Sequence, residues 1–600
     1  MCGIIGYFGN RRAVLVLLNG LAKLEYRGYD SAGLSVLENG KISTVKTKGM
    51  VAELAQQEKL QNIDGTVGIS HTRWATHGVP NSINAHPHTG CKDKVSVVHN
   101  GIIENYKLLR EALEDEGHVF KSQTDSEVIT HLIEKFYQGN IEKAVIQAVE
   151  CAEGTLGLVV LHADEQKLVA VRRGSPLVLG LGDEEFFVAS DVSAILEYTK
   201  NVIYLEDDEL AVIEKGNYVI KNVKDGHIIN RGVQEIKWTL DQIERGGFKH
   251  FMLKEIFDQP EAIKNALRGR IKDKRISLGV DIDIKNIKKV YLLACGTSLF
   301  AAMIAKHYIE EFSGISAEAE HASEFRYRNP KVGKKDLIVV LSQSGETADT
   351  IAAVKEAKKR NAKTIGIINV VGSTISRMVD SSVYINAGPE ISVASTKAFT
   401  CQVSVLLSFA LFLRQEKGLP IDGSLIDELY ALPDKVEKVL AKSEEIRDLA
   451  REFVDDPNFL FIGRGINYPT VLEGALKLKE ISYIHAEAYL AAELKHGPIA
   501  LIDENMPSFF LVPKDHLYEK MLSTMEEVNA RSGRIIALIN EEDSKIDELT
   551  NHKILVPISR IELSPVINVI ALQLFAYHIA DLKGLNVDKP RNLAKSVTVE

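Results

Sequence analysis

Val290-Tyr-Leu-Leu-Ala-Cys-Gly296-Thr-Ser298 is the stretch that decides the fold of the C-terminal half of this chain. A short apolar run that enters a glycine turn and then hydroxyl residues predicts a buried strand leading into a helix. The pattern returns at Phe459-Leu-Phe-Ile-Gly463-Arg-Gly465, and further strands at 338–341 and 509–512 keep the same offset of about 170 residues. The sequence therefore predicts two copies of one α/β unit, each with a doubly wound parallel sheet and ligands at the carboxyl ends of its strands.

The N-terminal half has a different pattern, which predicts an α+β unit. Apolar runs at 158–161, 168–171, 186–189 and 210–213 are separated by glycines and acidic turns, as expected for strands. A helix is predicted to start near Thr124, because Thr124 and Glu127 have the spacing of a capping box. The polar segment 240–249 contains two consecutive glycines and predicts a linker between the halves.

Length, charge and apolar runs indicate a multidomain globular protein rather than a protein that binds nucleic acid or spans a membrane. A chain of 600 residues is too long for one hydrophobic core, and its apolar content of 45% is that of an ordinary globular protein. The formal net charge of -10 gives no general attraction to nucleic acid or to an anionic membrane. The longest apolar helix candidate, 398–413, is interrupted by polar residues and is shorter than the roughly 20 residues that span a bilayer. It is predicted to be a buried core helix.

The cysteines argue against a disulfide framework and against zinc. Five are scattered along the chain, with no CxxC pair and no metal-finger spacing. His86-Pro-His88 also lacks helical i, i+4 spacing, so no metal and no organic cofactor is predicted. A cytoplasmic location fits this cysteine usage best.

Cys2 is the leading candidate nucleophile. Removal of Met1 would place its thiol and a free α-amine on one residue, and an α-amine with a pKa near 8 can accept the thiol proton. The apolar segment from Gly3 to Phe8 predicts a strand that buries this terminus.

Other polar residues of the N-terminal half fit attack on an amide. Asn100 and Gly101 can donate hydrogen bonds to a developing oxyanion. Arg73 suits a bidentate grip on the carboxylate of an amino-acid substrate, and Asp125 suits its ammonium group.

The C-terminal half carries hydroxyl-rich turns that suit a phosphate. Ser342-Gln-Ser-Gly-Glu-Thr347 follows a predicted strand and precedes a helix, where backbone N–H groups favour an anion. Cys295-Gly-Thr-Ser298 repeats that arrangement, and Ser395-Thr-Lys397 adds a third turn. The GxxxxGK[ST] pattern is absent from the sequence, so nucleotide hydrolysis is not predicted.

Two further segments could supply acid–base and covalent chemistry. The stretch 473–498 is predicted to be one helix and its exit, and it places Lys477, Glu480 and His496 near one another for proton transfer at a sugar carbon. Lys595, in the C-terminal tail, could form a Schiff base with a ketose if the tail folds into a pocket. Solvated charges are the alternative for both segments.

Together these motifs closely resemble one family over essentially the whole chain, the glucosamine-6-phosphate synthases, which are isomerising glutamine:fructose-6-phosphate aminotransferases. The resemblance rests on CGIIGY, EYRGYDSAG, HTRWATHG, NAHPH and HNGIIEN, which are typical of class II glutamine amidotransferases, and on LSQSGETADT, VASTKAFT, ALKLKEISYIHAEAY, ELKHGP and PRNLAKSVTVE, which are typical of the paired sugar-isomerase domains. It implies an N-terminal-nucleophile hydrolase fold of layered helices and sheets, followed by two doubly wound sugar-isomerase domains.

The resemblance also implies the reaction and the residues. Glutamine would be hydrolysed at Cys2, and the ammonia would be channelled to fructose 6-phosphate to give glucosamine 6-phosphate and glutamate, the first step of UDP-N-acetylglucosamine synthesis. Asn100 and Gly101 would form the oxyanion hole, and Trp74 would gate the ammonia channel. Lys595 would form the imine with the sugar, while Glu480 and Lys477 would move the proton between C1 and C2. His496, from the neighbouring subunit of a homodimer, would open the sugar ring. Glutamine would be held by Arg73, Thr76, His77 and Asp125. The sugar phosphate would be held by Thr297, Ser298, Ser342, Gln343, Ser344, Thr347 and Ser395.

The expected organisation has five parts: a glutaminase domain (1–240), a linker (241–249), two sugar-isomerase domains (250–430 and 431–589) and a catalytic tail (590–600). Two alternatives stay open from sequence. The glutaminase half could serve another acceptor, as in amidophosphoribosyltransferase, or the second half could be a non-catalytic sugar-phosphate sensor.

Overall fold

The computed structural model describes residues 2–74, 77–236, 245–272, 274–280 and 285–598. Thr76 and the first part of the predicted linker, 241–244, lie outside the described residues. The chain divides into two compact units, one formed by Met1–Ile243 with Ala594–Glu600 and the other by Glu244–Leu593. The last residues of the tail thus group with the N-terminal unit, and both predicted sugar-isomerase domains fall in one unit. The five boundaries expected from the sequence stay predictions.

The N-terminal unit is made of two antiparallel sheets and a set of helices. Its strands are β1 (Gly3–Phe8), β2 (Ser31–Glu38), β3 (Lys41–Lys48), β4 (Val67–Arg73), β5 (His88–Thr89), β6 (Val95–Ile103), β7 (Gly154–His162), β8 (Glu165–Arg173), β9 (Val178–Leu181), β10 (Phe186–Ala189), β11 (Asn201–Tyr204), β12 (Glu209–Glu214), β13 (Asn217–Asn222) and β14 (Gln234–Glu235). Its helices are α1 (Ala13–Leu24), α2 (Val51–Ala55), α3 (Tyr106–Asp115), α4 (Glu127–Phe136) and α5 (Ile141–Cys151). The four apolar runs predicted as strands lie in β7, β8, β10 and β12, so those predictions are confirmed.

These elements form four layers. One sheet has the strand order β14-β11-β9-β10-β1-β4-β2-β3, and the other has the order β13-β12-β8-β7-β6-β5. In β7, Val159 and Leu161 lie in the apolar core shared by the two sheets, whereas Leu158 and Val160 lie in the core that also contains residues of α4 and α5. Because side chains alternate across a strand, a strand that is apolar on both faces fits between a second sheet and a helix layer. Helix α1 covers the outer face of the first sheet. The layered hydrolase fold implied by the resemblance is confirmed.

The second unit is an α/β unit with two larger sheets. Its strands are β15 (Ile271–Lys272), β16 (Arg275–Ile276), β17 (Lys289–Ala294), β18 (Ser316–His321), β19 (Asp336–Ser342), β20 (Lys363–Ile368), β21 (Ser381–Tyr384), β22 (Asn458–Gly463), β23 (His485–Leu490), β24 (Ser508–Val512), β25 (Ile535–Ile539) and β26 (His552–Leu555). Its helices are α6 (Phe251–Phe257), α7 (Gln259–Leu267), α8 (Gly296–Ser313), α9 (Ala322–Phe325), α10 (Ala348–Lys359), α11 (Thr374–Met378), α12 (Lys397–Glu416), α13 (Gly423–Leu440), α14 (Ser443–Arg451), α15 (Tyr468–Ser482), α16 (Tyr518–Asn529), α17 (Ser544–Asp547) and α18 (Ser564–Leu582).

The two sheets have the same topology, which confirms the predicted internal repeat. Their strand orders are β18-β17-β19-β20-β21 and β23-β22-β24-β25-β26, and the strand pairs in each are parallel. In both sheets the first strand in sequence lies between the second and the third. The connections therefore reverse direction beside β17 and beside β22, which is where doubly wound sheets open a crevice for ligands.

Two helix predictions were wrong in their extent. Helix α4 begins at Glu127 rather than near Thr124, because the Glu127 carboxylate accepts hydrogen bonds from the preceding Lys121 and Ser122 amides instead of closing a capping box on Thr124. The segment 473–498 is not one helix. Helix α15 stops at Ser482, Tyr483 follows in a left-handed conformation with φ of 62°, and the chain continues as strand β23.

The predicted core helix at 398–413 is longer than its apolar run. Helix α12 has 20 residues, so the argument from length was wrong, but 83% of its most apolar window is buried. A second segment, Ile561–Leu582, is also long and apolar enough to cross a membrane, and its most apolar window is entirely buried. Core helices of globular proteins commonly meet the same criteria, so these two helices are weak evidence for a membrane span.

Candidate active sites

Strand β1 places Cys2 at the start of the N-terminal unit's first sheet. Gly3 pairs with Thr72 of β4, and a side chain on Gly3 would put its Cβ 2.7 Å from both Leu24 Cβ and Thr72 Oγ1. The backbone can approach this closely only because position 3 is glycine. The Trp74 amide then donates a hydrogen bond to the Cys2 thiol, with an N–Sγ distance of 3.2 Å.

A pocket opens beside the Cys2 thiol. It is lined by Cys2, Arg73, Trp74, His86, His99, Asn100, Gly101, Thr124, Asp125, Ser126 and Thr598. Burial raises the pKa of the Cys2 thiol, although the Trp74 hydrogen bond and the positive charge of Arg73 act in the opposite direction. A thiol held in this state needs a base to become a nucleophile, which is the role the sequence assigns to the α-amine of a processed Cys2.

Asn100 is held next to Cys2 by a histidine that sequence reasoning did not single out. The Asn100 Nδ2 atom donates to the Cys2 carbonyl at 3.0 Å, and Asn100 Oδ1 lies 3.0 Å from His71 Nε2. His71 Nε2 also lies 3.1 Å from the His99 carbonyl, so two acceptors surround this nitrogen and place the ring proton on it. Burial lowers the pKa of His71 to about 3, which keeps the ring neutral. His71 thereby fixes which way the Asn100 amide points.

Glycine is required at position 101 by both conformation and space. Gly101 has φ of 137°, and a Cβ there would lie 2.0 Å from the Thr155 carbonyl oxygen. Strand β6 therefore carries the Asn100–Gly101 peptide into the pocket wall without a side chain between it and Cys2.

Arg73 and Asp125 bring opposite charges to the same pocket. Both side chains are buried. Arg73 Nη2 donates to the carbonyls of His77 and Gly78, whereas Nη1 has no hydrogen-bond partner among the residues the structure describes. Asp125 Oδ2 accepts from the Ile103 amide at 2.8 Å, and His77 Nδ1 lies 4.0 Å from Asp125 Oδ1. A buried guanidinium nitrogen with spare donor capacity and a buried carboxylate match the two charges of an amino acid.

Replacing Asn100 with alanine tests its role as an oxyanion donor beside Cys2. We expect glutamine hydrolysis to lose about 10²–10³-fold in kcat, because one preorganised oxyanion donor is removed from a water-poor site. Steady-state release of glutamate measures this, with the exposed Asn217→Ala as the matched control. A kcat equal to that of the control would show that Asn100 has no such role.

The predicted phosphate loop follows β19 in the second unit. Ser342 Oγ accepts from the Gly345 amide at 2.9 Å and lies 3.2 Å from Thr347 Oγ1, while Ser344 Oγ accepts from the Glu346 amide at 3.1 Å. Gly345 has φ of 68°, and a Cβ there would lie 2.0 Å from Ser373 Oγ. Gln343 is half-buried in this loop, and helix α10 begins immediately after it. Hydroxyls and a helix N-terminus converge here, as an anion site requires.

A buried triad of charges lies beside Thr297. Lys477 Nζ is 2.5 Å from Glu480 Oε2, 3.4 Å from Glu473 Oε1 and 3.1 Å from Thr297 Oγ1. Burial raises the pKa of Glu473 to about 8, with a smaller contribution from the negative charge of Glu480, and the positive charge of Lys477 opposes the shift without cancelling it. Burial lowers the pKa of Lys477, but the two carboxylates outweigh it and the net shift is upward. One ammonium thus pairs with the half-buried Glu480, and the fully buried Glu473 holds a proton near neutral pH.

The two remaining hydroxyl turns are partly occupied by the chain's own groups. Ser298 Oγ accepts from Gln402 Nε2 at 2.9 Å. Ser395 Oγ donates to Glu390 at 2.8 Å, and the Glu390 carboxylate also accepts from the Thr396 and Ala398 amides at the start of α12. The anion position at that helix start is thus filled by Glu390, which leaves the 342–347 loop as the stronger phosphate candidate.

Two further residues predicted to act in the reaction are His496 and Lys595. His496 is exposed at the end of a short 3₁₀ helix, and among the described residues it makes no hydrogen bond or ion pair to Lys477 or Glu480. Lys595 is half-buried and belongs to the segment that groups with the N-terminal unit. The roles of both residues stay predictions.

Comparison with known proteins identifies the domains and the family. The family model described as "Glutamine amidotransferase domain" matches residues 71–197, and the one described as "SIS domain" matches residues 283–412 and 452–581. The glutamine--fructose-6-phosphate aminotransferase [isomerizing] of Chlorobaculum tepidum is 50% identical over the full length of both chains, and that of Bacteroides thetaiotaomicron is 48% identical, also over the full length of both. The chain belongs to the glutamine–fructose-6-phosphate aminotransferase (isomerizing) family.

Among solved structures, one from the same family is also similar to this chain. The C-terminal domain of glucosamine-fructose-6-phosphate aminotransferase from Francisella tularensis is 42% identical, with a TM-score of 0.55, and it covers 58% of this chain and 100% of that one. The aminotransferase family thus accounts for the glutamine amidotransferase unit and for the pair of sugar-isomerase sheets together.

Proposed function

We propose that this protein transfers the amide nitrogen of glutamine to fructose 6-phosphate and isomerises the product, giving glucosamine 6-phosphate and glutamate. The observation that carries the proposal is the pocket in which the Cys2 thiol, Arg73 and Asp125 meet, on a chain that also carries two sugar-isomerase sheets. An aminotransferase of this kind supplies the first step of amino-sugar synthesis, toward UDP-N-acetylglucosamine.

In the glutaminase site, Cys2 is the nucleophile once Met1 has been removed. Its α-amine takes the thiol proton, and the thiolate attacks the amide carbon of glutamine. Asn100 and the Gly101 N–H stabilise the oxyanion, and the C–N bond breaks to release ammonia. Water then hydrolyses the thioester to glutamate. Arg73, Thr76, His77 and Asp125 hold the substrate by its carboxylate and ammonium groups.

In the sugar site, the 342–347 loop binds the phosphate, and Thr297, Ser298 and Ser395 contact the sugar. Lys595 forms an imine with the C2 carbonyl, and the ammonia released at Cys2 replaces the lysine there. Glu480, paired with Lys477, moves a proton from C1 to C2, which converts the ketose into the aldose. None of these reaction steps uses a metal or an organic cofactor.

There is a chemical reason for glutamine hydrolysis and sugar amination to occur on the same chain. Ammonia released into water at neutral pH is mostly protonated and is then not a nucleophile. A dry channel gated by Trp74 would keep it reactive between the two sites. The phosphoribosyl acceptor has no support, because sugar-isomerase domains match the acceptor half.

The remaining features follow the family pattern. A homodimer is supported by the exposure of His496, which would act on the sugar of the neighbouring subunit. The small-molecule substrates and the cysteine usage support a cytoplasmic location. We place the functional parts at 1–240, 241–249, 250–430, 431–589 and 590–600, with the tail as the carrier of Lys595.

Product analysis tests the proposal. The purified chain is mixed with glutamine and fructose 6-phosphate, and glutamate and glucosamine 6-phosphate are measured by mass spectrometry. Both products are expected in equal amounts. Glutamate without an amino sugar would contradict the assigned acceptor, and borohydride trapping with fructose 6-phosphate would then show whether Lys595 forms an imine at all.

A further inference from the structure

A cluster of metal-type ligands lies in the N-terminal unit, outside the Cys2 pocket. It contains Cys91, His118, His131 and Glu134, whose donor atoms all lie within 4.8 Å of one another. Cys91 follows the short strand β5, His118 lies between α3 and α4, and the other two residues are on α4. Three separate segments of the chain therefore converge on one point.

Four of the distances between these donors are close to those around a four-coordinate metal. Cys91 Sγ lies 3.8 Å from His118 Nδ1 and 3.7 Å from His131 Nδ1. Glu134 Oε2 lies 3.5 Å from His118 Nδ1 and 3.6 Å from His131 Nδ1. Tetrahedral Zn²⁺, with bonds of about 2.3 Å to sulfur and about 2.0–2.1 Å to nitrogen and oxygen, separates its ligands by about 3.3–3.6 Å. These four distances exceed the ideal separations by at most a few tenths of an ångström, and the remaining donor pairs lie within 4.8 Å.

The surroundings hold these donors in place. The Val119 amide donates a hydrogen bond to Cys91 Sγ at 3.3 Å, which orients the sulfur. The Cys91 and Lys92 amides each donate to the Glu134 carboxylate at 2.9 Å. On the far side of the His131 ring, Nε2 lies 3.6 Å from Glu127 Oε1, the outer carboxylate that commonly orients a metal-bound histidine.

We propose that Cys91, His118, His131 and Glu134 bind a zinc-type divalent cation. One sulfur, two imidazole nitrogens and one carboxylate oxygen form the mixed donor set that Zn²⁺ accepts, and four protein ligands leave no open position for a substrate. The site is therefore structural. It fastens the 90–94 turn to α4, whose preceding residues Asp125 and Ser126 line the Cys2 pocket. The proposal is independent of the aminotransferase reaction.

Sequence spacing alone did not reveal this site. The ligands come from three distant segments, and the single local signal is His131 and Glu134 at i, i+3 on one helix. The expectation of no metal rested on the lack of CxxC and finger spacings, which describe sites built from one or two short segments.

Metal analysis of the full-length, untagged protein tests the proposal. After equilibration with equimolar Zn²⁺ and desalting, the wild type is expected to retain about one zinc per chain, and Cys91→Ser and Glu134→Gln to retain less than about one tenth of that. Cys151→Ser, a change at an exposed cysteine at the end of α5, is the matched control and should bind as the wild type does. Zinc retained equally by Cys91→Ser, or no zinc retained by the wild type, would overturn the proposal.

Cobalt gives a second readout that needs no variant to fold. Co²⁺ bound to the wild type is expected to show a sulfur-to-cobalt charge-transfer band, and pre-alkylation of exposed cysteines should abolish it. The absence of this band in a protein that has bound Co²⁺ would overturn the assignment of Cys91 as a ligand.

Discussion

Cys2→Ala is expected to abolish glutamine-dependent formation of glucosamine 6-phosphate. The variant keeps a small residue at position 2, so Met1 removal and strand β1 are preserved, but the thiol that sits under the Trp74 amide is gone. Loss of a covalent nucleophile costs about 10⁴-fold or more in kcat when the rest of the site remains. Glutamate release and amino-sugar formation should fall together.

Binding of fructose 6-phosphate separates loss of the nucleophile from misfolding. Its affinity, measured by calorimetry, is expected to be unchanged in Cys2→Ala, and Cys151→Ala should keep full activity as the matched cysteine control. Glutamine turnover that survives in Cys2→Ala would show that another residue attacks the amide.

Glu480→Gln is expected to lower amino-sugar formation by about 10²–10⁴-fold while glutamine hydrolysis continues. The neutral amide side chain introduced at position 480 cannot carry the proton between C1 and C2 of the sugar. The fold should survive, because loss of the Glu480 charge removes the repulsion that helps to keep Glu473 protonated, and Glu473 can then ionise and pair with Lys477.

The ratio of the two products measures this effect. Glutamate formed per glucosamine 6-phosphate should rise sharply in Glu480→Gln and stay at one in Glu493→Gln, an exposed glutamate beyond β23. An equal fall in both products would mean that the variant damages the protein as a whole, and unchanged rates of formation of both products would remove Glu480 from the reaction.

Local pattern was enough to predict the sheets, and three-dimensional contacts were needed for the sites. The run at 290–298 and its repeat predicted parallel strands that enter helices, because buried parallel strands are apolar on both faces. The helix expected at 473–498 failed at Tyr483, where a left-handed residue ends α15 and turns the chain into β23. Nothing in the residue pattern distinguishes that ending from a continued helix.

Some site residues could likewise be predicted from the sequence, whereas others could be found only from three-dimensional contacts. Arg73, Asn100 and Asp125 could be proposed from chemistry and from a family resemblance, and the structure brings them to one pocket. The role of His71 could not be proposed, because it depends on a ring nitrogen reaching Asn100 across two sheets. The Cys91 cluster was missed for the same reason.

The transfer of nitrogen between the two sites is the central claim, and isotope labelling measures it most directly. Glutamine labelled with ¹⁵N in the amide is supplied with fructose 6-phosphate in the presence of excess unlabelled ammonium. Glucosamine 6-phosphate is expected to carry ¹⁵N in nearly every molecule, with one glutamate formed for each. Amino sugar that carries mainly unlabelled nitrogen, or glutamate that accumulates with no amino sugar, would contradict the account.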